Sequence, residues 1–320
     1  MENSLSATLG PRLAAIVAQA RALGPIAVAV VDAAEEHVLA GAIEAAAAGL
    51  IQPTLIGQRR QIEALWQDQR LAGEPFPIVE AASQADAAEK AVAEVLAGRA
   101  QALMKGWIHT DVLMHPVLAH LRSGRRVSHV FVAELATYHK LLFVTDAAIN
   151  IEPDLATKAA IVQNAVDLAR LLGIERPKVA ALSAVEVVQP AIRSTIDAAC
   201  LSKMAERGQI AHAFVDGPLA FDNAISKEAA RIKKIDSPVA GDVDILLAPD
   251  LAAGNILAKD LEYLAKATLA GVVVGATVPI VLPSRSDPPA ARIASCAIAL
   301  LVGRQWDRAA DDAPAPPGAR

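Results

Sequence analysis

A hydroxyl, a guanidinium and a carboxylate share one turn at Ser284, Arg285 and Asp287. The apolar run Pro279–Leu282 before them reads as a buried strand, and Pro288 and Pro289 after them open a helix of small and apolar residues. Open α/β sheets bind ligands outside the carboxyl ends of their strands, where such a turn lies. A second turn, Leu103–Thr110 (LMKGWIHT), places Lys105 at a strand end, then Gly106, then His109 and Thr110 opening a helix. Backbone N–H groups and the helix dipole would hold an anion there. The plainer alternative has Gly106 making the turn, Thr110 capping the helix and Lys105 in solvent. In Leu121–His129 (LRSGRRVSH), Arg122, Arg125 and Arg126 form the densest arginine cluster of the chain. Arginine forks suit phosphate, and a solvated surface loop explains the same residues. Ser128 and His129 follow at a strand start.

Three further turns carry an acid just past an apolar strand. Asp146, with Asn150, lies in VTDAAINIEPD; Asp216 lies before Gly217-Pro218 in VDGPLAFDNA; Asp250 opens PDLAAGNILAK. Asp154 or Pro153 can simply start a helix. The phosphate loops GxGxxG and GxxxxGK[ST] are absent. His109, His115, His120 and His129 lack the HExxH spacing and a nearby cysteine, so no metal site is expected. There is no GxSxG elbow. Cys296, among apolar neighbours, reads as a packed small hydrophobe.

The elements that must position these turns alternate. Strands are expected at Ile26–Val31, Thr54–Ile56, Pro77–Val79 and Ala102–Met104, and helices at Ala14–Ala22, Glu35–Ala48, Gln58–Gln69, Ser83–Leu96 and Thr110–Ala119. This alternation is the signature of a mostly parallel, doubly wound sheet. His129–Glu134 and Leu141–Thr145 break it, since their short link allows only an antiparallel pair. The alternation then resumes with helices at Leu155–Leu172, Gln189–Arg207, Phe221–Arg231, Ala252–Leu269 and Pro289–Leu301, and strands at Val179–Leu182, Ala213–Val215, Asp244–Ala248, Val272–Val274 and Ile280–Leu282. RAADDAPAPPGAR, residues 308–320, is expected to be a disordered tail.

At 320 residues the chain has room for one large domain or two. A formal net charge of −5 excludes a general nucleic-acid binder, so an anionic substrate needs a local basic cluster. Two distant cysteines, and an N-terminus without a basic region and apolar run, point to a cytoplasmic protein. The apolar stretch 265–282 is broken by Lys266, Gly271, Gly275 and Pro279 and reads as buried elements, with no membrane span.

Taken together, LMKGWIHT, SHVFV, TDAAINIEPD, VDGPLAFDNAIS, SPVAGDVDILLAPDLAAGNILAK and PSRSDPPAARIASCA resemble the phosphate acetyltransferase/phosphate butyryltransferase family, from about Gly24 to Val302. The details resemble its butyryltransferase branch, and most closely the phosphate-acyltransferase part of enoyl-CoA hydratase/phosphate acetyltransferase fusions. The resemblance implies a short-chain transfer, acyl-CoA + phosphate ⇌ CoA + acyl phosphate, by direct attack in a ternary complex. Coenzyme A is then a substrate, with no resident cofactor or metal. The implied fold is α/β: two α/β/α domains flanking a cleft, like isocitrate and isopropylmalate dehydrogenases. Residues 1–137 plus 284–320 would form the first domain and 138–283 the second, in a homo-oligomer, a dimer or larger. Ser284 and Arg285 match the family's Ser-Arg pair: Ser284 toward the thiol or carbonyl, Arg285 toward phosphate or carbonyl oxygen. Asp287 is the candidate base, because the last helix lacks the acid of acetyl-specific members. Ser128 matches the phosphate-binding region, with Lys105, His109, Thr110 and Arg126 nearby; Asp216, Gly217, Asp250 and Asn255 complete the candidate substrate residues. His115 stands where the family usually has an arginine.

Two alternatives remain open from the sequence. One is a metal- and NAD-dependent decarboxylating dehydrogenase of similar fold, for which Asp216, Asp222 and Asp250 would have to converge. The other is a degenerate CoA-binding regulatory protein.

Overall fold

The computed structural model describes residues 9–68, 75–284 and 287–311, with backbone alone for 306–311. Arg285, Ser286 and the end of the chain after Asp311 lie outside the described residues. In chain order the described elements are α1 (Pro11–Ala22), β1 (Ile26–Val31), α2 (Glu36–Ala47), β2 (Ile51–Gly57), α3 (Arg59–Asp68) and β3 (Ile78–Glu80). Next come α4 (Gln84–Leu96), β4 (Ala102–Lys105), α5 (Thr110–His120), β5 (Ser128–Glu134), β6 (Leu142–Thr145) and α6 (Leu155–Leu171). There follow β7 (Lys178–Leu182), α7 (Arg193–Glu206), β8 (Phe214–Leu219), α8 (Phe221–Ile225), α9 (Lys227–Ile232) and β9 (Ile245–Leu247). The last are α10 (Leu251–Tyr263), β10 (Thr268–Val274), β11 (Ile280–Val281) and α11 (Pro289–Asp311).

The chain divides into two compact units, Val17–Arg122 with Thr277–Arg320, and Met1–Ile16 with Ser123–Ala276. The exchanges fall at 16/17, 122/123 and 276/277, where the sequence reading expects two, at 137/138 and 283/284. The reason is pairing: β5 is hydrogen-bonded antiparallel to both β6 and β10, so it cannot be parted from them.

In the unit holding Thr277–Arg320 the strands run β3-β2-β1-β4-β11, all parallel. Strand β1 is an unbroken apolar run, buried at nearly every position, as a strand covered on both faces must be. Parallel register carries Lys105, the last residue of β4, and Asp32 and Ser284, which follow β1 and β11, to one edge. Helix α4 starts at Ser83, whose Oγ accepts the Asp86 N–H at 3.2 Å, as the N-cap preference of serine requires.

In the other unit the order is β10-β5-β6-β9-β7-β8, with only β5 antiparallel to its neighbours. The start of β5 therefore lies at the edge where β6 and β10 end: Ser128 pairs with Val274 and Val130 with Thr145. The core of this unit is aliphatic, built around residues such as Val144, Leu246, Val243 and Leu219.

Four expectations about elements are corrected. The helix drawn over Ala252–Leu269 stops at Tyr263; Lys266 turns the chain with φ +56°, and TLAGVVV pairs with β5 along its whole length. The strand drawn over Ala213–Val215 runs on to Leu219, so Gly217-Pro218 lies within β8; a register shift against β7 accommodates it. Phe221–Arg231 is two helices, because Ser226 adopts extended angles and caps the second through the Ala229 N–H. The last helix continues to Asp311, into the stretch expected to be a disordered tail.

Candidate active site

Around Lys105 the backbone packs too tightly for any side chain at the next position. The Gly106 N–H donates to the Val31 carbonyl at 2.8 Å and the Trp107 N–H to the Asp32 carbonyl at 3.0 Å. A Cβ on Gly106 would stand 2.4 Å from both carbonyl oxygens, so glycine is obligatory here. Asp32 itself takes a left-handed φ of 59°, a strained conformation for a residue with a Cβ. Gln84 donates to the Asp32 carboxylate at 3.0 Å and to the Trp107 carbonyl at 2.6 Å, tying the two turns together. Burial pushes the Asp32 carboxyl above its ordinary pKa, opposed by the Gln84 hydrogen bond and the Lys105 charge.

At the neighbouring strand end, the Ser284 N–H donates to Asp287 Oδ2 at 2.8 Å and the Asp287 N–H to the Ser284 carbonyl at 3.1 Å. Arg292, one turn into α11, donates from Nη1 to the Asp287 carbonyl at 2.8 Å and approaches Glu44 on α2 at 3.4 Å. Its side chain is only 12% exposed, and its buried Nε has no hydrogen-bond partner. Gly41 leaves room for it: a Cβ there would touch Nε at 3.0 Å. Lys105, Trp107, Ser284 and Arg292 line one open pocket with Val38 and Met104. Arg285 lies outside the described residues.

Lys105 is thus half-buried in a pocket wall, rather than solvated as the plainer reading had it. His109 is exposed and occupies the N-cap of α5 without a side-chain cap bond, so Thr110 is the first helical residue, not the cap. His115 is exposed, ahead of a buried Pro116 in mid-helix.

The other unit holds a second polar cluster around Ser128, which is fully buried. Asn164 of α6 donates from Nδ2 to Ser128 Oγ at 2.8 Å and to the Arg126 carbonyl at 2.7 Å, and its Oδ1 accepts Arg125 at 2.8 Å. Arg126 Nε donates to Asn150 Oδ1 at 3.1 Å, and Asn150 donates to Asp146 Oδ2 at 2.6 Å. The Asp146 carboxylate also accepts the N–H groups of Ala148, Ile149 and Asn150. Arg126, Ser128, Asp146 and Asn150 come from two of the turns singled out in the sequence; Asn164 does not. Beside them His129 is 1% exposed with both ring nitrogens unpartnered, edge-on to Phe131 and over Gly271. Burial lowers its pKa to about 4 against the opposing charge of Asp146.

The remaining acids have local structural partners. Asp216 accepts the Gly217 N–H at 2.8 Å. Gly217 lies so close to Ala181 that a Cβ would stand 2.8 Å from its carbonyl oxygen. Asp250 caps α10 through the Ala253 N–H at 2.9 Å, and Asn255 of that helix donates to the Ala147 carbonyl at 3.2 Å. Asp154 likewise caps α6. Asp222 is paired with Lys233. The three aspartates a decarboxylating dehydrogenase would bring together therefore have separate tasks, and among the described residues no group of three or more His, Cys, Asp or Glu could hold a metal ion. Burial drives the Cys296 thiol up to about 12, which suits packing and not nucleophilic attack. Among the described residues no helix is long and apolar enough to cross a membrane.

The sequence reading missed Asp32, Gln84, Asn164 and Arg292. Asp32 ends an apolar strand run, a signal it shares with the acids that were noted. Nothing in local sequence marks Gln84 or Asn164, which reach their partners across the fold.

The profile of the Phosphate acetyl/butaryl transferase family matches residues 60–300. A phosphate acetyltransferase of Rhizobium meliloti is 53% identical over 289 residues, covering 89% of this chain and 92% of that protein. A phosphate butyryltransferase of Clostridium acetobutylicum is 42% identical over 278 residues, covering 86% and 92%. The crystal structure of a branched-chain phosphotransacylase from Enterococcus faecalis V583 superposes with a TM-score of 0.75 at 33% identity, covering 87% of this chain and 99% of that one.

Proposed function

The chain belongs to the phosphate acetyl/butyryl transferase family and is a phosphate acyltransferase, and from that premise we propose how its residues divide the reaction. Toward acyl-CoA, the coenzyme A thiol loses its proton to a base, and sulfur attacks the carbonyl carbon of the acyl phosphate. The C–S bond forms to give a tetrahedral intermediate; its collapse breaks the bond between the acyl carbon and the bridging oxygen, and phosphate departs with the electron pair. The reverse reaction runs through the same tetrahedral intermediate. Ser284 hydrogen-bonds the thiol or carbonyl, Arg285 holds the phosphate or carbonyl oxygen, and Asp287 takes the thiol proton.

The observation that carries this reading is the turn after β11: Ser284 and Asp287 are bound to each other, and Lys105 and Ser284 line the same pocket. The bond from the Ser284 N–H gives Asp287 a second task, shaping the turn. Asp287→Asn separates the two, because asparagine keeps an acceptor oxygen but is no base. Arg126, exposed beside the buried Ser128, contributes phosphate recognition while Ser128 holds that turn in place; His109 and Thr110 contribute the start of α5, and Asp216, Gly217, Asp250 and Asn255 act by shaping turns. The reaction changes no oxidation state, which supports a mechanism with coenzyme A as substrate and no resident cofactor. We further propose an isocitrate/isopropylmalate dehydrogenase-like architecture, supported by one all-parallel unit beside one whose β5 runs antiparallel. A cytoplasmic homo-oligomer, dimer or larger, completes the proposal.

The deciding experiment is release of CoA from acetyl- to valeryl-CoA by the purified protein, with and without phosphate or arsenate. Phosphate-dependent release is expected. CoA binding without turnover at every chain length would favour the regulatory reading.

A further inference from the structure

The pocket at the ends of β4 and β11 is lined by two kinds of side chain: the polar Lys105, Arg292, Glu35 and His37, and the apolar Val38, Met104 and Trp107. Trp107 is 39% exposed, and both polar groups of its backbone are engaged with Asp32 and Gln84. The exposed indole is therefore carried by a fastened turn. An apolar surface kept in solvent by a rigid frame is a mark of a binding wall. Met104 closes the floor and is 1% exposed; its unbranched thioether adapts to differently shaped neighbours.

Ser284 shares this pocket, so the part of the substrate that fills the apolar side adjoins the reacting atoms. In an acyl-CoA or an acyl phosphate that part is the acyl chain; the nucleotide end of coenzyme A is a whole pantetheine arm away. We propose that Val38, Met104 and Trp107 form the acyl-chain pocket and set the chain length the enzyme prefers. The inference rests on the reading of Ser284 given above. Val38 sits in the first turn of α2, where its N–H is held by the Glu35 carboxylate at 3.0 Å, so its side chain has a fixed place from which to limit chain length.

The test measures kcat/KM with phosphate for acetyl-, propionyl-, butyryl- and valeryl-CoA in the wild type and in Val38→Phe, Val38→Ala and Trp107→Ala, with calorimetric Kd values for the same four thioesters. Filling the pocket with phenylalanine is expected to lower the butyryl-to-acetyl ratio on the order of tenfold, the discrimination one or two methylenes supply. Val38→Ala moves the ratio the other way. Trp107→Ala, at an exposed side chain, weakens the longer thioesters more than acetyl-CoA. Ratios unchanged in every folded variant overturn the proposal. So does an equal loss for all four thioesters, which would place the shared coenzyme A moiety on this wall. Should the wild type show no phosphate-dependent turnover, a chain-length trend in Kd that Val38→Phe reverses would support the pocket while overturning the reaction.

Discussion

The Ser284 turn and the Ser128 cluster both end on a serine beside arginines, but they are held in different ways. Ser128 is buried in a network of side-chain bonds that runs through Asn164, Arg125, Arg126, Asn150 and Asp146. The Ser284 turn is held through its backbone, by Asp287 and the Arg292 bond to the Asp287 carbonyl, and it lines an open pocket with an apolar wall. A closed polar network in a low-dielectric interior rigidifies its surroundings, and every member is costly to remove. The Asp287 carboxylate and Arg292 hold this turn so that Ser284 stays at the pocket. The comparison therefore separates a cluster whose loss is read mainly as stability from one whose loss is read mainly as rate.

Ser284→Ala should break that contrast most visibly. Loss of one hydrogen bond made to the transition state is expected to lower kcat by about 10²–10³-fold, with the melting temperature preserved. An unchanged kcat would remove Ser284 from the chemistry. Next is Asp287: the asparagine variant should keep its melting temperature and lose about 10²-fold in rate, as removal of a base does. Asp287→Ala should lose rate and, in addition, about 1 kcal/mol of stability from the orphaned Ser284 N–H. Equal activity in wild type and Asp287→Asn would leave the carboxylate with the shaping task alone.

On the other side of the comparison, Asn164→Ala strips partners from Ser128, the Arg126 carbonyl and Arg125 at once. About 2–3 kcal/mol of stability should be lost in denaturant titration. A variant as stable as wild type would show that the network is not the rigid element argued for here. The last effect, confined to acid pH, concerns His129, whose pKa is lowered to about 4 by burial. Between its unfolded value of 6.5 and about 4 the unfolded chain binds the proton that the folded chain refuses. Stability therefore falls as pH drops through that window, by at most about 1.4 kcal/mol per pH unit from this group. Replacement by leucine should flatten this limb of the stability–pH curve; an unchanged limb would assign the acid sensitivity to other groups.

Much of the site was legible in residue order because strand ends announce themselves. An apolar run that stops at Lys105, at Asp146 or before Ser284 marks both the strand and the edge where ligands bind. The antiparallel β5–β6 pair was legible from its short link alone. Where the reading failed, partners distant in sequence decided. Thr268 and Leu269 look like the end of α10 until β5 is present to pair with them. Asp216 and Asp250 look like the acids of a ligand site until the fold shows one bonded to the next N–H and the other capping a helix.

The sequence by itself determined the alternation of strands and helices, the turns that carry polar groups and the family, because each is written in contiguous residues. Tertiary structure decided which of those groups meet. It brought Arg292 from the last helix against Gly41 and Glu44, set Asn164 between Ser128 and two arginines, and placed Gly106 where two backbone carbonyls leave no space for a Cβ. Such contacts depend on the register of strands and the packing of helices over long stretches of chain, and local residue order does not encode them.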